Sequence, residues 1–138
     1  MFDRWQETID ASTSEADAEK VECKVSPGML TEIGIYFPMG CANLARSRVF
    51  IGEKPVMPRS AKNFVGGNGQ LIQALNLHEL ITPNIPSLNW YVWNLDDFYN
   101  HELWMYANWI SDEEDPNRTT ALVVTDMLNL WKQVMRVA

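Results

Sequence analysis

The sequence predicts a mainly β protein: an antiparallel β-sandwich of jelly-roll type with six to eight strands, an N-terminal arm and a C-terminal amphipathic helix. Three observations carry this. From Lys20 to Ile110 apolar residues recur with a period of two between turn residues, the signature of half-buried strands. After Asn117 the period changes to that of a helix, in a run without Gly or Pro as far as Ala138. Before Lys20 the composition is different again, with seven acidic and two basic residues through Glu22. The chain therefore divides into an acidic arm (1–19), a sandwich domain (20–111), and a linker with a C-terminal helix (112–138).

Within the arm, Phe2, Trp5 and Ile9 are spaced three and four apart. A helical turn or two places all three on one side, where they would anchor the arm to an apolar surface. In the sandwich, Val21, Cys23 and Val25 alternate with Glu22 and Lys24 until Pro27-Gly28 breaks the run. Ile33, Ile35 and Phe37 then face one way and Glu32, Gly34 and Tyr36 the other. Leu44 to Ile51 follows as a strand with Arg46 and Arg48 on its wet face, and Gly52-Glu53-Lys54 turns the chain onto Pro55-Val56-Met57-Pro58. Gly66-Gly67-Asn68-Gly69 is a loop by composition. Further strands are expected at about 70–76, 87–95 and 101–110.

The last two strands are apolar on both faces. Leu88, Trp90 and Val92 oppose Tyr91, Trp93 and Leu95, and Leu103, Met105, Ala107 and Trp109 oppose Trp104, Tyr106 and Ile110. One face of each must be core. The other needs covering by the protein's own helix and arm, by a subunit, or by a ligand that stacks on aromatic rings. In the C-terminal helix Val123, Met127, Leu130, Trp131 and Val134 form the apolar stripe, with Asp126, Asn129, Lys132, Gln133 and Arg136 on the other side. The expected interaction residues are therefore Phe2, Trp5 and Ile9 in the arm, Trp93 and Trp104 in the sandwich, and Met127, Leu130 and Trp131 in the helix.

Composition bounds the function. The 138 residues suffice for one domain with a real core. Eighteen acidic residues against eleven basic ones leave a net charge of -7, which argues against a nucleic-acid partner, since phosphate binding depends on clustered Lys and Arg. No apolar run has the length of a membrane span, and Met1 to Glu7 lacks the basic start and apolar stretch of a signal peptide, so a soluble protein without a membrane partner is expected.

Chemistry is sparse. His78-Glu79-Leu80 and His101-Glu102-Leu103 lack the second His that a zinc-protease helix requires, because Thr82 and Met105 stand there. Asp96-Asp97-Phe98-Tyr99-Asn100-His101 holds two carboxylates and an imidazole, groups that ligate divalent cations, yet reads more simply as a turn capped by Asp side chains. The glycine-rich loop has no following Gly-Lys-Ser/Thr. Cys23 and Cys41 have no His placed to activate them and read as reduced thiols whose pairing stays open. No catalytic residue, metal site or cofactor is expected, and the chain is expected not to be an enzyme.

Pro27-Gly28-Met29-Leu30-Thr31-Glu32-Ile33 running into Phe37-Pro38-Met39-Gly40-Cys41, then Arg48-Val49-Phe50, Met57-Pro58 and Asn94-Leu95-Asp96-Asp97-Phe98-Tyr99-Asn100-His101, cover about 26–109 in order and spacing. As a set they resemble a loose family of small β-sandwich proteins encoded among the structural genes of tailed bacterial and archaeal viruses. The acidic arm and the C-terminal helix depart from that family. The resemblance implies a virion component: an accessory capsid protein at a decoration, vertex or turret position, or a head-tail or tail connector subunit. Its partners would be other virion proteins and copies of itself in a homo-oligomer, with no catalytic residues. A second expectation, from the aromatic strands, is a carbohydrate- or host-surface-binding module supported by calcium at Asp96 and Asp97, with Trp90 or Trp93 exposed.

Overall fold

The computed structural model describes residues 1–112. The predicted C-terminal helix, with Met127, Leu130 and Trp131, lies outside the described residues. Ten strands fill the described chain: β1 (Phe2–Ile9), β2 (Glu19–Lys24), β3 (Gly28–Phe37), β4 (Ala45–Ile51), β5 (Lys54–Met57), β6 (Val65–Gly66), β7 (Gln70–Ala74), β8 (Glu79–Ile81), β9 (Ser87–Asn94) and β10 (His101–Ser111). They form two antiparallel sheets packed as a β-sandwich. The first runs β1-β10-β3-β7, with β8 also paired to β3, and the second runs β2-β9-β4-β5, with β6 also paired to β4. β5 and β6 thus share one position beside β4, and β7 and β8 share one beside β3, so the ten segments occupy eight strand positions.

The arm is where the sequence reading needs correction. Phe2 to Ile9 is a strand, not a pair of helical turns, and every residue of it is in register with β10, from Phe2 opposite Asn108 to Ile9 opposite His101. Alternation, not helical spacing, sorts its side chains. Ile9 is fully buried and Trp5 packs half-buried against the core, whereas Phe2 points the other way, to the outer face. The chain then crosses from the first sheet to the second. The Ser12 amide donates to the Asp96 carbonyl at 2.8 Å, and Thr13 exchanges backbone bonds with Asn94 at 2.8 and 3.1 Å.

The core sits between the sheets and follows the period-two reading. Leu30, Ile33, Ile35 and Phe37 of β3, Leu88, Trp90 and Val92 of β9, and Leu103, Met105 and Ala107 of β10 are all buried. Leu30 and Ile33 differ in parity, yet both face inward. A β-bulge accounts for it: Asn108 pairs with Glu32 while Trp109 pairs with Leu30, leaving Thr31 as the extra residue. The Thr31 hydroxyl donates to the Asn108 carbonyl at 3.0 Å. Two buried indoles find partners: that of Trp90 donates to Ser47 and that of Trp109 donates to Ser26 at 2.7 Å. Cys23 and Cys41 are both buried free thiols. Burial, followed by the Asp3 and Glu7 charges, pushes the Cys23 thiol up to about 12.

Candidate functional site

The register of the first sheet assembles an aromatic surface on its outer face. Gln6, Trp104, Tyr36 and Leu71 lie in one row across β1, β10, β3 and β7, and Arg4, Tyr106, Gly34 and Gln73 lie in the next. Phe2, Asn108 and Glu32 continue the face toward the end of β10. The apolar members stand open: Phe2 is 60% exposed, Leu71 47%, Ile110 42%, Tyr36 41% and Trp104 38%. A shallow depression of about 220 Å³ runs between Phe2, Arg4, Tyr36, Leu71, Trp104 and Tyr106.

Gly34 is what lets this face form. A Cβ there would lie 2.0 Å from Cε1 of Tyr106, so the missing side chain is the space in which the Tyr106 ring crosses the sheet. Phe2 stacks on that ring with centroids 5.7 Å apart and planes 29° apart. The Gln73 amide donates to the Tyr106 hydroxyl at 2.7 Å. Burial raises the Tyr106 phenol above its ordinary range; the Gln73 bond opposes this, and the Glu32 carboxylate, which accepts from the phenol, adds to it. The result is a fixed aromatic platform with Arg4 beside it and the carboxylates of Glu32 and Glu102 at its margins.

The outer face of the second sheet is different, because the chain covers it itself. The Arg46 guanidinium lies 4.2 Å over the Phe64 ring and that of Arg48 lies 4.8 Å over Trp93, cation–π contacts that shield the aromatic faces from water. Phe64 also meets Trp93 edge-on at 6.0 Å. Arg48 is held in turn by Glu15 and by the Ala61 carbonyl. A cleft of about 250 Å³ remains beside it, lined by Glu15, Ala18, Arg48, Phe50, Tyr91 and Trp93.

The Asp96 loop takes the turn form. Asp96 Oδ1 accepts from the amides of Phe98 and Tyr99 at 2.9 and 3.3 Å, and Oδ2 lies 2.8 Å from His101 Nε2. The Phe98 amide bond and the His101 contact hold its carboxyl below the usual range. Asn94 braces the same loop, donating to the Tyr99 carbonyl at 2.9 Å and accepting from the Asp96 amide at 3.0 Å. Phe98 and Tyr99 project from its tip, exposed. Among the described residues no group of three or more His, Cys, Asp or Glu is placed to hold a metal ion.

Of the expected interaction residues, the structure brings Phe2 and Trp104 together on one open face. Trp5 packs toward the core, and Ile9 and Trp93 are closed off, the first inside the sandwich and the second beneath Arg48 and Phe64. Tyr36, Leu71 and the Gly34–Tyr106 pair join the face through strand register, for which the sequence carries only the alternation of β3 and β10.

No protein-family model matches the chain, and no curated protein matches it. Among solved structures, one titled "Crystal Structure of FLHE" aligns with a TM-score of 0.40 and 12% identity, covering 78% of this chain and 96% of that one.

Proposed function

We propose that the chain is a non-enzymatic virion structural protein, an accessory capsid or connector subunit that associates with copies of itself through the outer face of its first sheet. The observation that carries this is the exposed platform of Phe2, Tyr36, Leu71 and Trp104 around the half-buried Tyr106 ring. Contiguous apolar surface rimmed by polar groups marks a contact with another macromolecule. It includes Tyr and Trp side chains, which are enriched at the centres of protein interfaces. Strand order supports the finer fold reading, a jelly roll: consecutive strands β1, β2, β3 and β4 alternate between sheets, and β9 and β10 lie between them. Viral capsid domains are among the proteins built this way, although a fold alone does not fix a function. The amphipathic C-terminal helix belongs to the same reading as a docking element.

The carbohydrate reading rests on the cleft beside Arg48, where Glu15 and Tyr91 offer polar groups next to aromatic walls. Its own expectation of an exposed Trp90 or Trp93 is not met, since both are buried. Light scattering of the full chain over a concentration range, with and without calcium, separates the two. A discrete oligomer indifferent to calcium supports the virion subunit. A monomer at every concentration, or a mass that changes only with calcium, overturns it.

A further inference from the structure

We propose that the aromatic face meets the same face of a second copy about a two-fold axis, with Arg4 paired to the partner's Glu32 and Glu32 to the partner's Arg4; the inference rests on the assembly reading above and names the partner surface. The charges of the face are complementary to themselves. Arg4 stands on β1, on one side of Tyr106, and Glu32 stands on β3, on the other side and one row along. Arg4 is exposed, and among the described residues no acidic side chain forms an ion pair with it. Glu32 is half-buried, and its carboxylate accepts from the Tyr106 phenol and, at 3.5 Å, from the Asn108 amide. A carboxylate has about four acceptor sites, so Glu32 keeps capacity for a guanidinium. Space for one lies beside it. β7 pairs with residues 33–37 of β3 and β8 with residues 28–30, which leaves Thr31 and Glu32 in the gap between them. A cavity of about 400 Å³ opens there against Leu75, Asn76, His78 and Asn108.

A two-fold axis crossing β10 near Tyr106 exchanges β1 of one copy with β3 of the other. Arg4 then lies over the partner's Gly34, where no side chain stands. The partner's Glu32 is two residues away along β3, roughly 7 Å at ~3.3 Å per residue, within reach of an extended arginine side chain. The same operation makes the second pair, so each dimer holds two, and a contact of this isologous kind closes at two copies. Phe2, Tyr36, Leu71 and Trp104, all open in one copy, are covered in the same step. The apolar side chains supply the contact area, and the charge pairs fix which way the faces meet. Glu102, two rows from Arg4 and opposite Thr8, lies at the rim.

Charge reversal in the full-length chain is the test, read by light scattering at low ionic strength, where charges are least screened. The unaltered chain is expected to associate with a mass of about twice 15.8 kDa. Arg4→Glu alone sets carboxylate against carboxylate at both pairs, and Glu32→Arg alone sets guanidinium against guanidinium. Each is expected to need at least about tenfold higher concentration to associate. Their equimolar mixture restores opposite charges at both pairs of a mixed dimer and is expected to recover the mass of the unaltered chain. Circular dichroism checks that each variant folds; Glu32→Lys replaces Glu32→Arg if that variant does not. Single variants that associate as readily as the unaltered chain, or a mixture that does not recover, overturn the face-to-face pairing and leave the assembly reading standing. Recovery of Arg4→Glu by Glu102→Arg in place of Glu32→Arg overturns it equally. A monomeric unaltered chain at all concentrations overturns both.

Discussion

The contact between Gly34 and Tyr106 is the smallest unit of the account. Because a Cβ at position 34 would lie 2.0 Å from the Tyr106 ring, Gly34→Val is expected to turn the phenol off the sheet and out of reach of Gln73 and Glu32. The phenol should then titrate closer to its ordinary value, read by ultraviolet difference spectroscopy, and association should weaken. The fold should survive, since the ring has solvent to move into. Asp96 makes a second prediction at this scale. Its carboxyl is held low in the folded protein, so the charged form is favoured by folding. Its contribution is complete above the unfolded value of about 4 and is lost as pH falls from there through the lowered folded value. Thermal midpoints measured from pH 6 down to pH 2 should fall for the native chain, and the Asp96→Asn variant should start lower and lose less over that window. Cys23 gives a third. With its thiol pushed up to about 12 it should resist thiol reagents at pH 8 until the protein unfolds, because the thiolate is the reactive form.

At the scale of elements, β1 separates what was legible in the sequence from what was not. The strands from β2 to β5, with β7, β9 and β10, lie where alternation between turn residues places them, since one face of each is apolar and the other is wet or aromatic. Phe2 to Ile9 has a period-three-and-four spacing of apolar residues and a Glu at an inward position, Glu7. It is an edge strand, where an inward carboxylate still reaches water, so pattern alone gives the wrong period. Burial pushes Glu7 up, and Glu19 on β2 adds to it, which places the two edge strands side by side at one margin of the sandwich. β6 and β8 escaped because two- and three-residue strands carry no period. The core consequence is testable. Deleting residues 1–9 removes the whole ladder with β10 and the buried Ile9. A loss of several kcal/mol, or about 10 °C or more in Tm for a domain of this size, is expected by calorimetry.

Within residues 1–112, one outer face is covered by the chain's own arginines and the other is left open. The sequence already announces that β9 and β10 are apolar on both sides, but which outer face is closed depends on tertiary placement. Trp93 is covered because Phe64, in the long connection between β5 and β6, folds back over β9 and brings the Arg46 and Arg48 stacks with it. No comparable segment of residues 1–112 returns over Trp104. The proposed assembly contact is therefore placed on the aromatic platform.

Hydroxyl-radical footprinting of the full chain at low and high concentration measures the use of that surface residue by residue. If the first sheet's outer face is the assembly contact, labelling of Trp104, Tyr106 and Tyr36 should fall several-fold as concentration rises, while Phe98 and Tyr99 in the loop between β9 and β10 stay labelled. Unchanged labelling of the three platform residues in a sample whose mass shows association would contradict the account, and would move the contact to another face of the sandwich.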